Sequence, residues 1–167
     1  YGMAVDSDGN ACLTGFVNTD TADYLTVKYS VSGSKLWAVT YDGLAHSLDV
    51  ATAVAAPGGS GAVYVVGRSV AESGKTEFAT IKYSHSGQER WVKRFTAGPD
   101  ADSRDLNPCI AVRGSSVYVA GFMKPFPVKT YTLAYDTAAS SSGYGQESWV
   151  KVWGIPDDNV WLRAMTL

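Results

Sequence analysis

The side chains that could carry out chemistry are few in this sequence. It contains two histidines, His46 and His85, and two cysteines, Cys12 and Cys109. Nucleophilic catalysis needs a serine or cysteine that converges with a histidine and a carboxylate. Neither histidine has a partner at a recognised motif spacing, and the histidines and cysteines are not spaced as zinc ligands are. The sequence therefore predicts no catalytic residue, no metal ligand and no cofactor.

Acidic residues form two patterns that could be taken for ligand sites. Residues 6–10 (DSDGN) are rich in oxygen atoms, but they lack the later glutamate and the full spacing of a calcium loop, so a hairpin turn is favoured. Asp49, Asp105 and Asp158 (or Asn159) each precede a returning strand. An acid that recurs in register most simply caps backbone N–H groups, and we predict a structural role for these residues.

An internal repeat positions these residues. Its clearest copy is residues 78–95 (FATIKYSHSGQERWVKRF), where two alternating runs flank a Ser-His-Ser-Gly turn. This pattern predicts a β-hairpin. An earlier copy occupies residues 24–37, and a degraded copy occupies 130–135 and 147–153, joined by a longer turn.

Glycines and tryptophans mark the period of the repeat. Three glycines are predicted to end the second strand of each unit, at intervals of 52 (15 to 67) and 54 (67 to 121) residues: Gly15, Gly67 and Gly121. One tryptophan recurs on each fourth strand and is predicted to pack between neighbouring units: Trp37, Trp91 and Trp149. A period near 50 with four strands per period is typical of β-propeller blades.

The predicted fold is all-β, a β-propeller fragment of four-stranded antiparallel blades. Gly, Ser, Thr and Val are abundant, and no window keeps a clean helical stripe. One domain is predicted over 1–167, with blades at about 3–43, 50–97 and 107–155 and the first strand of a fourth at about 161–167. Known propellers have about four to eight blades. We therefore expect either the remaining blades of a longer chain or self-assembly of several copies into a ring.

Composition and charge restrict the possible partners. The net charge of −2 argues against a broad nucleic-acid footprint. No apolar run approaches the roughly 20 residues of a membrane-spanning helix. We expect neither a nucleic-acid partner nor a membrane span. Cys12 and Cys109 fall in the first and third units, which are not neighbours, so free thiols are expected rather than a disulfide.

The repeat resembles a known family. Its glycines, its YLTVKY and ATIKY strands, its Ser-Gly-x-x-x-Trp turns and residues 49–54 (DVATAV) are together similar to the seven-bladed β-propeller repeat family called SBBP. The Gly-x-x-x-Trp turns are also similar to those of quinoprotein propeller blades. The third unit departs from the pattern at Ala134, where the first two units have Lys28 and Lys82. The resemblance implies part of a larger secreted or cell-surface protein, and it implies architecture rather than chemistry.

Two classes of function remain open. The first is a non-catalytic structural or binding module, extracellular or at the cell surface, with a protein or glycan partner. The alternative is a segment of a propeller enzyme, a hydrolase or quinone-dependent oxidoreductase, whose catalytic residues lie mostly outside this segment. Loops between second and third strands vary most between units, and variable loops on a rigid scaffold often determine specificity. The predicted partner-binding residues are Asp20, Asp23, Glu72, Lys75, Lys124 and Phe126.

Overall fold

The computed structural model describes residues 1–18, 20–59, 61–96, 98, 107–123, 129–137 and 146–153. Within these residues the regular structure consists of twelve strands and contains no helix. The all-β prediction is therefore confirmed. No helix in this part of the chain is long and apolar enough to cross a membrane.

The strands form three antiparallel four-stranded sheets, each a meander in chain order. Sheet 1 contains β1 (Gly2–Val5), β2 (Ala11–Asn18), β3 (Ala22–Tyr29) and β4 (Lys35–Tyr41). Sheet 2 contains β5 (Val50–Ala55), β6 (Val63–Val70), β7 (Thr76–Tyr83) and β8 (Glu89–Phe95). Sheet 3 contains β9 (Cys109–Arg113), β10 (Ser116–Met123), β11 (Lys129–Asp136) and β12 (Gln146–Trp153). Each sheet corresponds to one unit of the sequence repeat.

The turn between the third and fourth strands has the same geometry in sheets 1 and 2. In sheet 1 the Ser30 N–H donates to the Ser34 carbonyl at 2.8 Å, and the Gly33 N–H donates to the Ser30 carbonyl at 2.9 Å. The corresponding bonds of the Ser84 turn in sheet 2 measure 2.8 and 3.0 Å. The glycine of each turn has a φ of 82°, which residues with a Cβ rarely adopt.

The sheets stack face to face. We call the side of each sheet that carries Leu25, Ala79 or Tyr131 its front face, and the side that carries Tyr24, Phe78 or Thr130 its back face. The back face of sheet 1 packs on the front face of sheet 2 in one apolar cluster. The back face of sheet 2 packs on the front face of sheet 3 in a second. Strand alternation explains this, because each sheet is apolar on both sides.

The repeated tryptophans lie on the back faces. The Trp37 ring is 6.2 Å from the Tyr83 ring of sheet 2. Trp91 is only 7% exposed, and its ring lies 6.1 Å from Tyr135 of sheet 3. Trp149 contacts Tyr118 of its own sheet at 6.1 Å and is 39% exposed. Two of the three indoles thus pack between sheets, and the third lies on the outward face of sheet 3.

The repeated glycines lie within strands, so the prediction that Gly15, Gly67 and Gly121 end the second strands was wrong. Pairing with the third strand continues beyond each of them. A Cβ at Gly67 would lie 2.8 Å from the Tyr24 hydroxyl, and one at Gly121 would lie 2.5 Å from the Phe78 ring. At Gly67 a Cβ would lie closer still to the Val50 carbonyl oxygen of the β5 backbone, so the neighbouring strand and Tyr24 together require glycine there. At Gly121 the Phe78 ring is the closest group.

Residues 6–10 form the turn between β1 and β2, in agreement with the favoured interpretation. The Asp6 carboxylate accepts backbone N–H bonds from Asp8 and Asn10, both at 2.9 Å. Its second oxygen lies 2.8 Å from the Lys28 ammonium, and the two side chains are 2% and 0% exposed. The carboxylate is therefore occupied by the turn and by a buried cation of β3.

Several predicted features lie outside the described residues, namely Asp105, Asp158, Lys124, Phe126 and the start of a fourth blade at 161–167. Both cysteines are free. Cys12 is buried, and the half-buried Cys109 thiol lies 3.4 Å from the Ala120 carbonyl. The exact blade boundaries stay a prediction.

Candidate functional site

The connections between strands emerge on two opposite edges of the sheets, because antiparallel strands reverse direction at every turn. We call the edge formed by residues 20–22, 42–49 and 71–75 the loop edge. The opposite edge carries the turns at 6–10, 30–34 and 84–88. In sheets 1 and 2 the connections between second and third strands, where the sequence predicted partner-binding residues, emerge on the loop edge.

Three carboxylates meet at the loop edge between sheets 1 and 2. One oxygen each from Asp23, Asp42 and Asp49 lies within 4.8 Å of the other two. Asp23 is near the start of β3 and Asp42 directly follows β4, so strand pairing makes them neighbours. The loop returns to them because the Asp49 N–H donates to the Ala22 carbonyl at 2.6 Å. A local hairpin and a loop contact thus build the cluster.

Asp49 organises the loop that joins sheet 1 to sheet 2. Its side chain is fully buried, and its Oδ2 accepts the Gly43 N–H at 2.7 Å. Burial raises the pKa of Asp49, and hydrogen bonds from Ser69 and from the backbone of Gly43 and Val70 oppose that shift. Asp49 therefore caps backbone N–H groups in the crossing loop, which is the kind of role that the sequence predicted.

Asp42 and His46 form an exposed pair in the same loop. His46 Nδ1 lies 2.5 Å from Asp42 Oδ2, and the His46 side chain is 79% exposed. The His46 backbone has a φ of 47°, and its N–H donates to the Gly43 carbonyl at 3.0 Å. The hydrogen bond with Asp42, followed by its negative charge, raises the pKa of His46. The loop edge thus carries a charge pair that responds to pH.

We expect His46 to titrate above the ordinary histidine pKa of about 6.5. Asp42→Asn removes the charge and should return the pKa of His46 toward that value. Because the pKa is raised in the folded state, the pair contributes stability below about pH 6.5 and loses it as the pH rises through the folded pKa. An NMR titration of the His46 ring, assigned with His46→Gln, measures this. An unchanged titration in Asp42→Asn would contradict it.

A second charged group joins the two sheets beneath the loop edge. Arg94 of β8 lies 2.5 Å from Glu77 of β7 and 3.2 Å from the Ser69 hydroxyl. It also donates to the hydroxyl of Tyr41 in sheet 1. Glu77 lies within β7 and is buried. This cluster has a packing role between the sheets.

The predicted partner-binding residues have different surroundings. Asp20 is exposed between β2 and β3, and Glu72 and Lys75 are exposed in the turn between β6 and β7. Asp23 lies within β3 rather than in a loop. Asp42 and His46 were not among the residues predicted for this edge. The sequence does contain a signal for this pair, namely an aspartate and a histidine four residues apart that directly follow a predicted strand.

Asp23, Asp42 and Asp49 could offer oxygen atoms to a cation. Exposed acidic groups commonly gather without one, and both Asp42 and Asp49 already accept hydrogen bonds. The geometry thus describes a cluster of carboxylates in which Asp42 is exposed and Asp49 is buried.

The reactive groups in the described part of the chain do not converge. His46 lies on the loop edge, and His85 lies in a turn on the opposite edge. Burial raises the pKa of both Cys12 and Cys109, which disfavours the nucleophilic thiolate. The Lys28 ammonium is held by Asp6.

Comparison with known proteins identifies no family for this chain. A scan of the sequence against protein-family models finds none that matches. A search of curated proteins finds none that is similar. The architecture of this chain therefore follows from its own repeat and from its three sheets.

Proposed function

We propose that this chain is a non-catalytic binding module of the β-propeller type, in which the three sheets are successive blades. Four-stranded meanders that stack in chain order, each back face on the next front face, support this arrangement. The resemblance to the SBBP repeat supports it as well. The same resemblance favours a place in a larger secreted or cell-surface protein.

The main support for a binding role is that the loop edge differs between sheets 1 and 2, whereas the opposite edge repeats one turn. The opposite edge repeats one turn with nearly identical hydrogen bonds in sheets 1 and 2. The loop edge differs between these sheets and exposes charged side chains in both: Asp20, Asp42, His46, Glu72 and Lys75. A surface that varies on a repeated scaffold is suited to selecting a partner.

The partner would be a protein or glycan that offers hydrogen-bond donors. Two carboxylates on this edge, Asp20 and Asp42, are exposed, and carboxylates accept hydrogen bonds from sugar hydroxyls and from Arg or Lys side chains. The buried charges Lys28 and Arg94 are already engaged in ion pairs within the fold. The loop edge thus offers a partner two exposed carboxylates between sheet elements whose own buried charges are paired.

Binding is tested with a glycan array and a panel of basic peptides. A loop-edge variant carries Asp20→Ser, Asp42→Asn, His46→Gln and Glu72→Gln, all at exposed positions. The matched control carries Ser32→Ala, His85→Ala and Ser86→Ala on the opposite edge. We expect the native chain and the control to bind and the loop-edge variant to lose binding at least about tenfold. Equal binding by both variants, or no binding by the native chain, would refute the proposal.

A further inference from the structure

A buried polar group lies on the back face of sheet 1, away from the loop edge. It consists of Asp6 and Asn10, from the turn between β1 and β2, and of Lys28 from β3. Asp6 and Asn10 are 7% and 8% exposed, and Lys28 has no exposed surface. Removing charged groups from water costs free energy, so such groups need close partners. We call these three residues the lysine triad.

One carboxylate oxygen connects the other two side chains of the lysine triad. Asp6 Oδ2 lies 2.8 Å from Lys28 Nζ. The same oxygen accepts a hydrogen bond from Asn10 Nδ2 at 3.0 Å. Because both nitrogens contact one oxygen, the lysine amine and the asparagine amide are held next to each other, with a carboxylate between them.

The strand register and the turn fix this arrangement. Lys28 pairs with Cys12, two residues after Asn10, so Lys28 and Asn10 are diagonal neighbours across the two strands. Within the turn, the Asn10 N–H donates to Asp6 Oδ1 at 2.9 Å, and the Asp6 N–H donates to the Asn10 carbonyl at 3.0 Å. The fold therefore holds the three side chains together without any rearrangement.

The surroundings of the lysine triad exclude water and external molecules. Cys12 of β2 and Trp37 of β4 flank Lys28 on the two neighbouring strands. Both belong to the apolar cluster between sheets 1 and 2, and Cys12 has no exposed surface. No external substrate reaches an amine in such a place, so the groups that can react with it belong to the chain itself.

We propose that Lys28 and Asn10 become joined by an isopeptide bond, with Asp6 as the acid–base group. A carboxylate beside a lysine can take its proton and free the amine to attack as a nucleophile. Lys28 Nζ then bonds to Asn10 Cγ, and the bond from Cγ to Nδ2 breaks. The two protons that Nζ loses pass to the departing nitrogen, which leaves as ammonium, and the Asp6 carboxylate is regenerated. The product is a secondary amide that ties the turn to β3.

The charge state of Asp6 suits the first proton transfer and limits its speed. Burial raises the pKa of Asp6, but hydrogen bonds from Lys28, Asn10 and the turn backbone outweigh burial and hold the pKa well below its ordinary value. Asp6 is thus ionised, which is the form that accepts a proton, but it is a weak base. We therefore expect the bond to form slowly after folding, from the ion pair as the starting state.

Sheets 2 and 3 offer a comparison within the chain, since each lacks part of the lysine triad. Lys82 of sheet 2 occupies the position of Lys28, but the first turn of that sheet, residues 57–61, contains neither a carboxylate nor a side-chain amide. The Lys82 ammonium lies over the Tyr64 ring instead, 5.4 Å from its centre. In sheet 3 Ala134 takes the place of the lysine. The reaction is therefore specific to sheet 1.

Mass spectrometry of the native chain, kept folded for a week at physiological temperature, tests the proposal. The chain should become lighter than its sequence by one molecule of ammonia. Lys28 is the first lysine or arginine of the sequence, so trypsin should release peptide 1–28 from the unreacted, denatured chain. The isopeptide bond blocks this cleavage and should give peptide 1–35, lighter by one ammonia.

Two variants and a matched control assign the bond. Lys28→Arg keeps a positive charge beside Asp6 but removes the amine, and Asp6→Asn removes the base, so both should keep their full mass. Lys82→Arg, the same change in sheet 2, should lose ammonia like the native chain. Near-UV circular dichroism checks that each protein is folded.

Three results would overturn the proposal. The first is a native chain that keeps its full mass. The second is the loss of water instead of ammonia, which would place the bond between Lys28 and Asp6. The third is the loss of ammonia with cleavage after Lys28 intact, which would indicate a succinimide at Asn10.

Discussion

Replacing Asp6 with alanine lowers the free energy of unfolding by about 3–5 kcal/mol, the usual loss when one partner of a buried ion pair is removed. The Lys28 ammonium has no exposed surface and lies 2.8 Å from the Asp6 carboxylate, so the substitution leaves a buried charge without its partner. The turn also loses the acceptor for the N–H groups of Asp8 and Asn10. Urea denaturation measured at neutral pH gives the size of the loss.

Two variants separate the ion pair from the turn. Asp8→Ala removes an exposed carboxylate from the same turn and should change stability by no more than about 0.5 kcal/mol. The double variant Asp6→Asn with Lys28→Met removes both charges and retains an acceptor for the turn. It should lose less stability than Asp6→Ala. A larger loss in the double variant would show that the pair is not the main source of the effect.

The pH dependence of stability gives an independent check on Asp6. Burial alone would raise its pKa, but the hydrogen bonds from Lys28, Asn10 and the turn backbone outweigh it and hold the pKa well below the ordinary value. A depressed pKa stabilises the fold above the unfolded value of about 3.9, and this stability is lost as the pH falls toward the folded pKa. In Asp6→Ala this contribution to the acid dependence should be absent.

Replacing Trp91 with alanine should also lower the free energy of unfolding by about 3–5 kcal/mol, as for other buried tryptophans. The indole packs between Tyr64 of its own sheet and Tyr135 of sheet 3, at 6.2 and 6.1 Å. Its removal opens a cavity between two sheets that the surrounding strands cannot close, because their pairing fixes their positions. Denaturant midpoints of the native chain and the variant measure the loss.

His85→Ala is the matched control for Trp91→Ala. The His85 side chain tops an exposed turn, and the group that receives the Trp37 indole is its backbone carbonyl, which alanine retains. The expected change is within about 0.5 kcal/mol. Similar losses in the two variants would show that the indole does not dominate the contact between sheets 2 and 3.

The repeat, the strands and the hairpin turns were predictable from sequence because they depend on local patterns. Alternating side chains and a Ser-Xaa-Ser-Gly turn specify a hairpin within some 15 residues. The extent of the second strands was not predictable in this way. Gly67 suggested a strand end, but its position depends on Val50 and Tyr24, which approach the backbone from other strands.

The candidate site on the loop edge was also not predictable from local sequence patterns. Asp42 and His46 are close in sequence, but the sequence alone does not show that the folded loop brings their side chains to 2.5 Å. Asp23 joins them because β3 and β4 are antiparallel, and Asp49 joins because its N–H binds Ala22. The three carboxylates come from a strand, from the residue after a strand and from the end of a loop. They therefore form no contiguous motif in the sequence.

The meander order of the sheets has a consequence for folding. Every paired strand in the three sheets is the neighbour of its partner in sequence, so no sheet waits for a distant segment. Contacts of this kind carry a low loop-closure entropy and favour rapid folding. Sheet 1 can form first during synthesis and offer its back face as a template for sheet 2, which then does the same for sheet 3. The folding of each sheet is therefore coupled to that of its neighbours through their shared interface, as in other repeat proteins. A substitution that weakens one interface uncouples the folding of the two sheets that form it.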